Sequence, residues 1–321
     1  MSQPTKTTGV FIPLAQTSRA LRERFHIPWN KQRIVWAYVF IAVPFLYFLI
    51  VNFGAMLAAF SYSFQEYNTL SSVQKFIGLD NYVSIFTDKD FFQSLRNTLM
   101  FAVIRVPVAV AGSLITALLL VNIKRLKGFF RMLFFLPFVT SGVAIAWVFK
   151  FMYLPNFGIF TKVFDLLKVP RIDFLGSPQY ALYAIAAVTI WASIGFYTLI
   201  FLAGLEDIPT EFYEAAEVDG ASAWQRFWGI TLPLLNRTLV LVVILCLISS
   251  LQTFTVVRMM NADNGFGGPL GATRTLPIMI YREAFSSMNM GRAAAISVVF
   301  FLIVLAATLI QRRVISREVD Y

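Results

Sequence analysis

Six stretches of this sequence run without Asp, Glu, Lys or Arg for roughly the 18 or more residues that a helix needs to cross the hydrocarbon of a bilayer, one of them interrupted only by Arg105. They are Ile34 to Gln65, Asn97 to Asn122, Met132 to Phe149, Phe174 to Leu205, Thr238 to Val257 and Ala293 to Gln311. Apolar residues make up 58% of the chain and charged ones 14%, where a soluble chain carries about a quarter charged, so polar groups cannot cover a globule of this size. The expected fold class is an all-α integral membrane protein with six transmembrane helices. The spans fall near 34–62, 97–122, 131–153, 178–205, 238–260 and 292–312, within a membrane domain covering 34–311. The first run is too long for a cleavable signal peptide and lacks a small-residue cleavage site, so it is expected to be retained.

An even number of spans puts both termini on one side. Residues 1–33 carry six basic residues against one acid, Glu23, which assigns that side to the cytoplasm. Of 27 Lys and Arg, 15 fall on the cytoplasmic side and 11 outside; Lys124, Arg125, Lys127 and Arg131 in a short loop decide the bias. The net charge of +10 therefore reads as a signal to the inner leaflet, not to nucleic acid. In the tail, Leu21 and Phe25 lie among Arg19, Arg22 and Arg24 before Pro28, which fits either a helix lying on the membrane surface or a disordered segment. A short tail, 312–321, closes the chain. One cysteine, Cys246, and one histidine, His26, leave no intrachain disulfide and no histidine-rich metal site to build, and none is expected.

The most informative segment is the cytoplasmic loop 206–237. Pro209 can open a helix, Glu211 and Glu214 complement its positive end, and Gly220 can take the left-handed conformation that ends it. Ala221 to Trp228 can then form a second helix before Pro233, giving a compact helix-turn-helix. Within it, Glu214-Ala215-Ala216, Gly220 six positions on, Ile230 ten further and Leu232-Pro233 resemble the EAA motif of the permease subunits of bacterial ABC importers; Asp219, Ala221 and Phe227 agree with the extended pattern. Gly78 to Tyr82 with Arg96-Asn97-Thr98, Gly267-Gly268-Pro269, Tyr281 to Phe285 and Gly291 to Ala295 are similar to the sugar permeases of maltose, lactose and glycerol-3-phosphate type. The chain departs from them at Arg237, where a second proline is usual, and at Thr255, where an aspartate is usual.

The resemblance implies a type I ABC importer permease in the bacterial inner membrane. Such a subunit forms half of a pathway for a sugar or oligosaccharide, with a second homologous permease, two ATPase subunits carrying ATP and magnesium, and an extracytoplasmic solute-binding protein. It also implies that Tyr213, Glu214, Ala215, Ala216, Asp219, Gly220 and Ala221 couple this chain to an ATPase subunit. The sequence itself contains no GxxxxGK[ST] phosphate loop, so ATP hydrolysis is expected in the partners and no cofactor or metal in this chain. An ion-coupled carrier, the alternative of a different class, commonly needs an acidic residue within its spans, and none of the six contains one.

A sugar pathway needs hydroxyls, amides and aromatic faces turned inward. Thr140, Ser141 and Trp147 of the third span, Thr189, Trp191 and Ser193 of the fourth, and Ser249, Ser250, Gln252 and Thr253 of the fifth are the candidates, although such hydroxyls also bond back to their own helices. Arg105 lies about eight residues beyond Asn97, roughly 12 Å into the span. A charge there costs about 2.5–3.5 kcal/mol on insertion scales. Either it snorkels to the outer headgroups, or it faces the cavity, with Arg258, and favours an acidic or phosphorylated sugar.

Overall fold

The computed structural model describes residues 31–71, 74–123, 125–261 and 266–315, so the amphipathic pattern around Leu21 and Phe25, Lys124 and the last residues of the C-terminal tail lie outside it. The chain divides into two units, Met1–Ala58 and Ala59–Tyr321. The first charge-free run forms helix α1, which covers Lys31–Phe48, a π turn at Leu49–Phe53 and Gly54–Tyr62. Every residue from 33 to 57 is exposed, a surface that suits lipid and not water.

The second unit opens with strands β1 (Gln65–Tyr67) and β2 (Gln74–Phe76), an antiparallel ribbon pairing Gln65 with Phe76 that supplements the all-helical expectation. Helix α2 (Asp80–Thr87) leads into α3 (Lys89–Val121), which starts well before the expected 97 because the Asp88 carboxylate accepts the Asp90 amide at 2.8 Å and caps the first turn. The third span, expected as one helix over 131–153, is instead two: α4 (Lys127–Val139) and α5 (Gly142–Met152) meet at 89°. Thr140 is extended between them, and Pro137 has no amide to offer the hydrogen-bond ladder just before the break.

Helix α6 (Ile159–Leu167) precedes α7 (Ala181–Glu206), and the elbow that follows contains α8 (Thr210–Val218) and α9 (Ala223–Arg226), continued by a π turn at Phe227–Thr231. The fifth span is also interrupted: α10 (Asn236–Leu251) stops at Gln252 and α11 (Thr255–Met260) resumes after Phe254. Helices α12 (Leu276–Phe285) and α13 (Met290–Ile315) complete the described fold.

Helix α7 is apolar on every face, and it is buried accordingly, packing on α3 and α4 around Ile185, Val188, Phe201 and Leu202. Small residues set the approach. A Cβ at Gly195 would stand 1.8 Å from the Phe134 carbonyl oxygen, so only glycine lets α7 cross α4 this closely. Ser113 Oγ donates to Ile194 O at 3.1 Å and Thr198 Oγ1 donates to Ser113 O at 3.3 Å, stitching α3 to α7.

Within the second unit, a polar cap ties residues 65–98 to residues 271–292. Asn97 Nδ2 donates to Gly271 O at 2.9 Å and to Arg274 O at 3.0 Å, and the Leu276 amide donates to Thr98 Oγ1 at 2.8 Å. Asp90 pairs with Arg274 and Arg282, and Asp88 with Arg292. Burial alone would lower the Arg282 guanidinium, but its bonds to Glu283 and Asp90 outweigh that and hold it above its ordinary value. Gly291 completes the cap: a Cβ there would lie 2.0 Å from Gln65 O of β1.

The Gly195 contact makes a testable demand. Gly195→Ala should cost about 1–3 kcal/mol, because the backbone oxygen it meets cannot swing aside. Gly229→Ala, with open space at its Cβ, should cost far less. Unfolding temperatures of the detergent-solubilised variants compare the two, and equal values would contradict the packing described.

Candidate functional site

Two features of the second unit can do work. One is a cavity of about 340 Å³ lined by Arg105 of α3, Thr140 and Gly142 at the α4–α5 break, Thr189 and Ser193 of α7, and Gln252 to Val256 at the α10–α11 break. Both interrupted spans open their breaks onto the same space. That is the one setting in which irregular backbone is tolerated at membrane depth, since a cavity can solvate the groups that a helix would otherwise satisfy.

Six of the eleven residues expected on the pathway line this cavity: Arg105, Thr140, Thr189, Ser193, Gln252 and Thr253. Ser249 and Ser250 stand behind it as the partners of Arg105, whose Nη1 donates to their Oγ atoms at 2.8 and 2.9 Å. Each serine hydroxyl in turn donates to Cys246 O, at 3.1 and 2.6 Å, so the arginine meets lone pairs on both. Tyr197 Oη lies 3.0 Å from Ser249 Oγ and extends the network onto α7. Arg105 is thus 6% exposed and held in the interior, and the headgroup-snorkelling reading is corrected. The sequence offered no sign of this, because the two serines lie 144 and 145 residues away.

The other expected residues sit elsewhere. Ser141 is the N-cap residue of α5 but makes no side-chain cap bond. Trp191 packs on Phe149 at 5.2 Å and lines a separate apolar groove with Leu133, Phe134 and Gly195. Trp147 is half-exposed beside Phe151 and Lys150. Arg258 is not at the cavity; it stacks over Phe266 and Tyr281, at 4.6 and 5.8 Å from the ring centres. Phe138, Ile145, Phe254 and Thr255 line the cavity without having been expected, since apolar wall residues look like core in sequence.

The cavity hydroxyls share one habit. Thr140, Thr189, Ser193 and Thr253 each donate to a carbonyl three or four residues back, at 2.9, 2.9, 3.1 and 2.7 Å. Their protons are spent within the helices, and what they offer a ligand is acceptor capacity, suited to the hydroxyl donors of a sugar.

The second feature is the elbow. Gly220 is left-handed at φ +75°, and the Ala221 amide donates to Ala216 O at 2.9 Å, which ends α8 as expected. Ser222 and Gln225 form a capping box that starts α9. Tyr213 Oη lies 3.0 Å from Thr231 Oγ1, tying α8 to the π turn, and Lys127 and Arg131 both grip Glu206 at its root. Glu214, Ala215, Asp219 and Gly220 are exposed, Tyr213, Ala216 and Ala221 partly so. Beside them Val218 is 88% exposed and Trp224 69%, and with the exposed Phe212 and Trp228 they give the knob an apolar display.

The serine clasp can be checked in isolation from function. Ser249→Ala with Ser250→Ala should destabilise the solubilised protein by at least about 2 kcal/mol by leaving a buried cation without acceptors. Adding Arg105→Met should recover part of that loss in a thermal unfolding series. A double alanine variant as stable as wild type would show that the serines do not hold the charge.

Residues 109–319 match the family described as binding-protein-dependent transport system inner membrane component, a range that holds the elbow and every cavity-lining residue except Arg105. The chain is 32% identical over 288 residues to the probable ABC transporter permease protein YurN of Bacillus subtilis strain 168, covering 88% of this chain and 97% of that one. It is 33% identical over 242 residues to the trehalose/maltose transport system permease protein MalF of Thermococcus litoralis, covering 74% and 79%. It is 32% identical over 247 residues to the sn-glycerol-3-phosphate transport system permease protein UgpA of Agrobacterium fabrum, covering 77% and 83%. Its fold is similar to a chain in the crystal structure of a bacterial alginate ABC transporter in complex with alginate pentasaccharide-bound periplasmic protein, with a TM-score of 0.78 at 21% identity over 90% of this chain and 97% of that one.

Proposed function

This chain belongs to the family of binding-protein-dependent transport system inner membrane components, and from that premise we propose that it forms half of an ATP-driven import pathway for a sugar or oligosaccharide. A second homologous permease supplies the other half, an extracytoplasmic binding protein delivers the solute, and two ATPase subunits bind ATP with magnesium and drive the cycle. Both termini and the elbow then face the cytoplasm, as the basic tail and the loop from Lys124 to Arg131 favour. Relatives named for trehalose/maltose and glycerol-3-phosphate transport point to the substrate class.

The observation that carries this reading is the elbow. Its two helices are locked into one body by the left-handed Gly220 and the Tyr213–Thr231 contact, yet it presents exposed Phe212, Val218 and Trp224 around Glu214. A stiff projection with an apolar display suits a socket on an ATPase subunit. Closure of the ATPases on ATP would move the elbow, and through its root at Glu206 the helices α4 and α7 that wall the cavity. The lack of any phosphate loop in the sequence is consistent with this division of labour.

Uptake into proteoliposomes holding the assembled importer tests it. Wild type should import only with hydrolysable ATP. Glu214→Lys should reduce uptake at least about tenfold while the ATPase subunits retain hydrolysis or dissociate from the complex. Uptake that persists with a nonhydrolysable analogue and collapses with an ionophore would overturn the importer assignment.

A further inference from the structure

Among the described residues Arg105 is a cation without a counter-charge. It is 94% buried by its 6% exposure, lies on the cavity wall, and is held by two neutral serine hydroxyls. The carboxylates of the described ion pairs all engage other residues: Asp88 and Asp90 sit at the cap, Asp165 in the 159–171 segment, Glu206 and Glu217 at the elbow end, and Glu283 with Arg282. No described acid pairs with Arg105. Its Nε is enclosed with no hydrogen-bond partner, and only Nη1 is engaged. Nε is closed off from the cavity, so the donor left for a ligand there is Nη2, which a carboxylate or phosphate oxygen can meet in a charge-assisted hydrogen bond.

A second group on the same cavity carries the same sign. Helix α5, eleven residues long, begins at the wall of the cavity, where Thr140 and Gly142 line it, and Ser141 gives its first turn no side-chain cap. The uncapped amides and the helix dipole place partial positive charge there. Neutral sugar hydroxyls are served by the serine, threonine and glutamine groups already present, and nothing in binding them offsets the burial of a full charge. A guanidinium kept in the interior, held only by neutral serines and with no paired acid among the described residues, is accounted for when the permeant itself brings the negative charge.

We propose that Arg105, with the α5 N-terminus, makes this a pathway for sugars bearing an anionic group, and that the arginine is a specificity-determining residue of the cavity. This rests on the importer assignment made above. It deepens that assignment by fixing the charge of the substrate. The anion can be a uronate carboxylate or a sugar phosphate, which share the anionic oxygens that a guanidinium N–H meets in a charge-assisted hydrogen bond.

The test uses the complete importer with its binding protein in proteoliposomes, read as ATP-dependent uptake and as sugar-stimulated ATP hydrolysis. Three probe sets are compared: neutral oligosaccharides of hexoses, oligosaccharides of uronic acids, and sugar phosphates. A charged set should be the one imported, and which of the two responds distinguishes carboxylate from phosphate. Arg105→Gln should lower its uptake by at least about tenfold through kcat/KM, with Arg105→Lys retaining several-fold more than the glutamine variant. Because Arg105→Gln removes a buried anchor, a second variant stands beside it: Gln252→Glu adds a negative charge to the cavity wall and should depress uptake of the charged set at least about fivefold.

Import of neutral sugars alone, unchanged in Arg105→Gln, would overturn the proposal while leaving the importer assignment intact. So would stimulation by no charged probe, or insensitivity of the charged set to Gln252→Glu. An equal loss for charged and neutral probes in Arg105→Gln would mark the arginine as a strut paired by the second permease, and would overturn it too. Uptake without dependence on ATP is the separate result that fails the importer assignment.

Discussion

In hydrocarbon a backbone amide or carbonyl has no water to turn to, and each one left unpaired costs several kcal/mol. The architecture of this chain follows from that single shortage. Through most of the charge-free runs the backbone closes on itself as helix, and the described spans are broken at two places, Thr140–Ser141 and Gln252–Phe254. Both exceptions abut one cavity lined by polar and apolar groups. The cavity and the breaks are therefore a single feature: the interruptions line it, and the space beside them leaves their backbone groups out of contact with lipid.

Holding such a cavity between helices that gain nothing from burying apolar surface against lipid requires close contact, and the chain achieves it with small residues. Gly195 lets α7 lie against the α4 backbone, and Ser113 and Thr198 bridge α3 and α7 with hydrogen bonds. The cation at Arg105 is then positioned between α3 and α10 by hydroxyls whose own protons are directed away from it. Rigidity at the elbow has a different origin. It comes from turn chemistry, the left-handed glycine and the capping box, and from one tyrosine–threonine contact.

Much of this was legible in the sequence, and the part that was not shares a cause. Charge-free runs located every long helix, since solvation by lipid acts on composition. The elbow was readable down to Gly220, because turns and caps are local and depend on residue types a few positions apart. The bend between α4 and α5 was hidden, because Pro137, Thr140 and Ser141 are uncharged and a proline alone does not break a membrane helix; Pro44 and Pro107 sit inside continuous ones. The partners of Arg105 were equally hidden, for they depend on which face of α10 meets α3. Residues quoted for their resemblance to sugar permeases, among them Asn97, Arg282, Gly291 and Arg292, turn out to build the cap, a structural duty that a motif alone does not disclose.

That cap carries a consequence for how the protein is made. Asn97 waits for a carbonyl 174 residues downstream and Asp88 for an arginine 204 residues downstream. At ribosomal speeds of roughly 5–20 residues per second, the early loop is synthesised about 10–40 s before its partners. Asn97, Thr98 and Asp90 find their partners as residues 271–282 emerge, and Arg292 at the start of the last helix closes the cap, so a nascent chain released short of it would leave Asp88 without its partner.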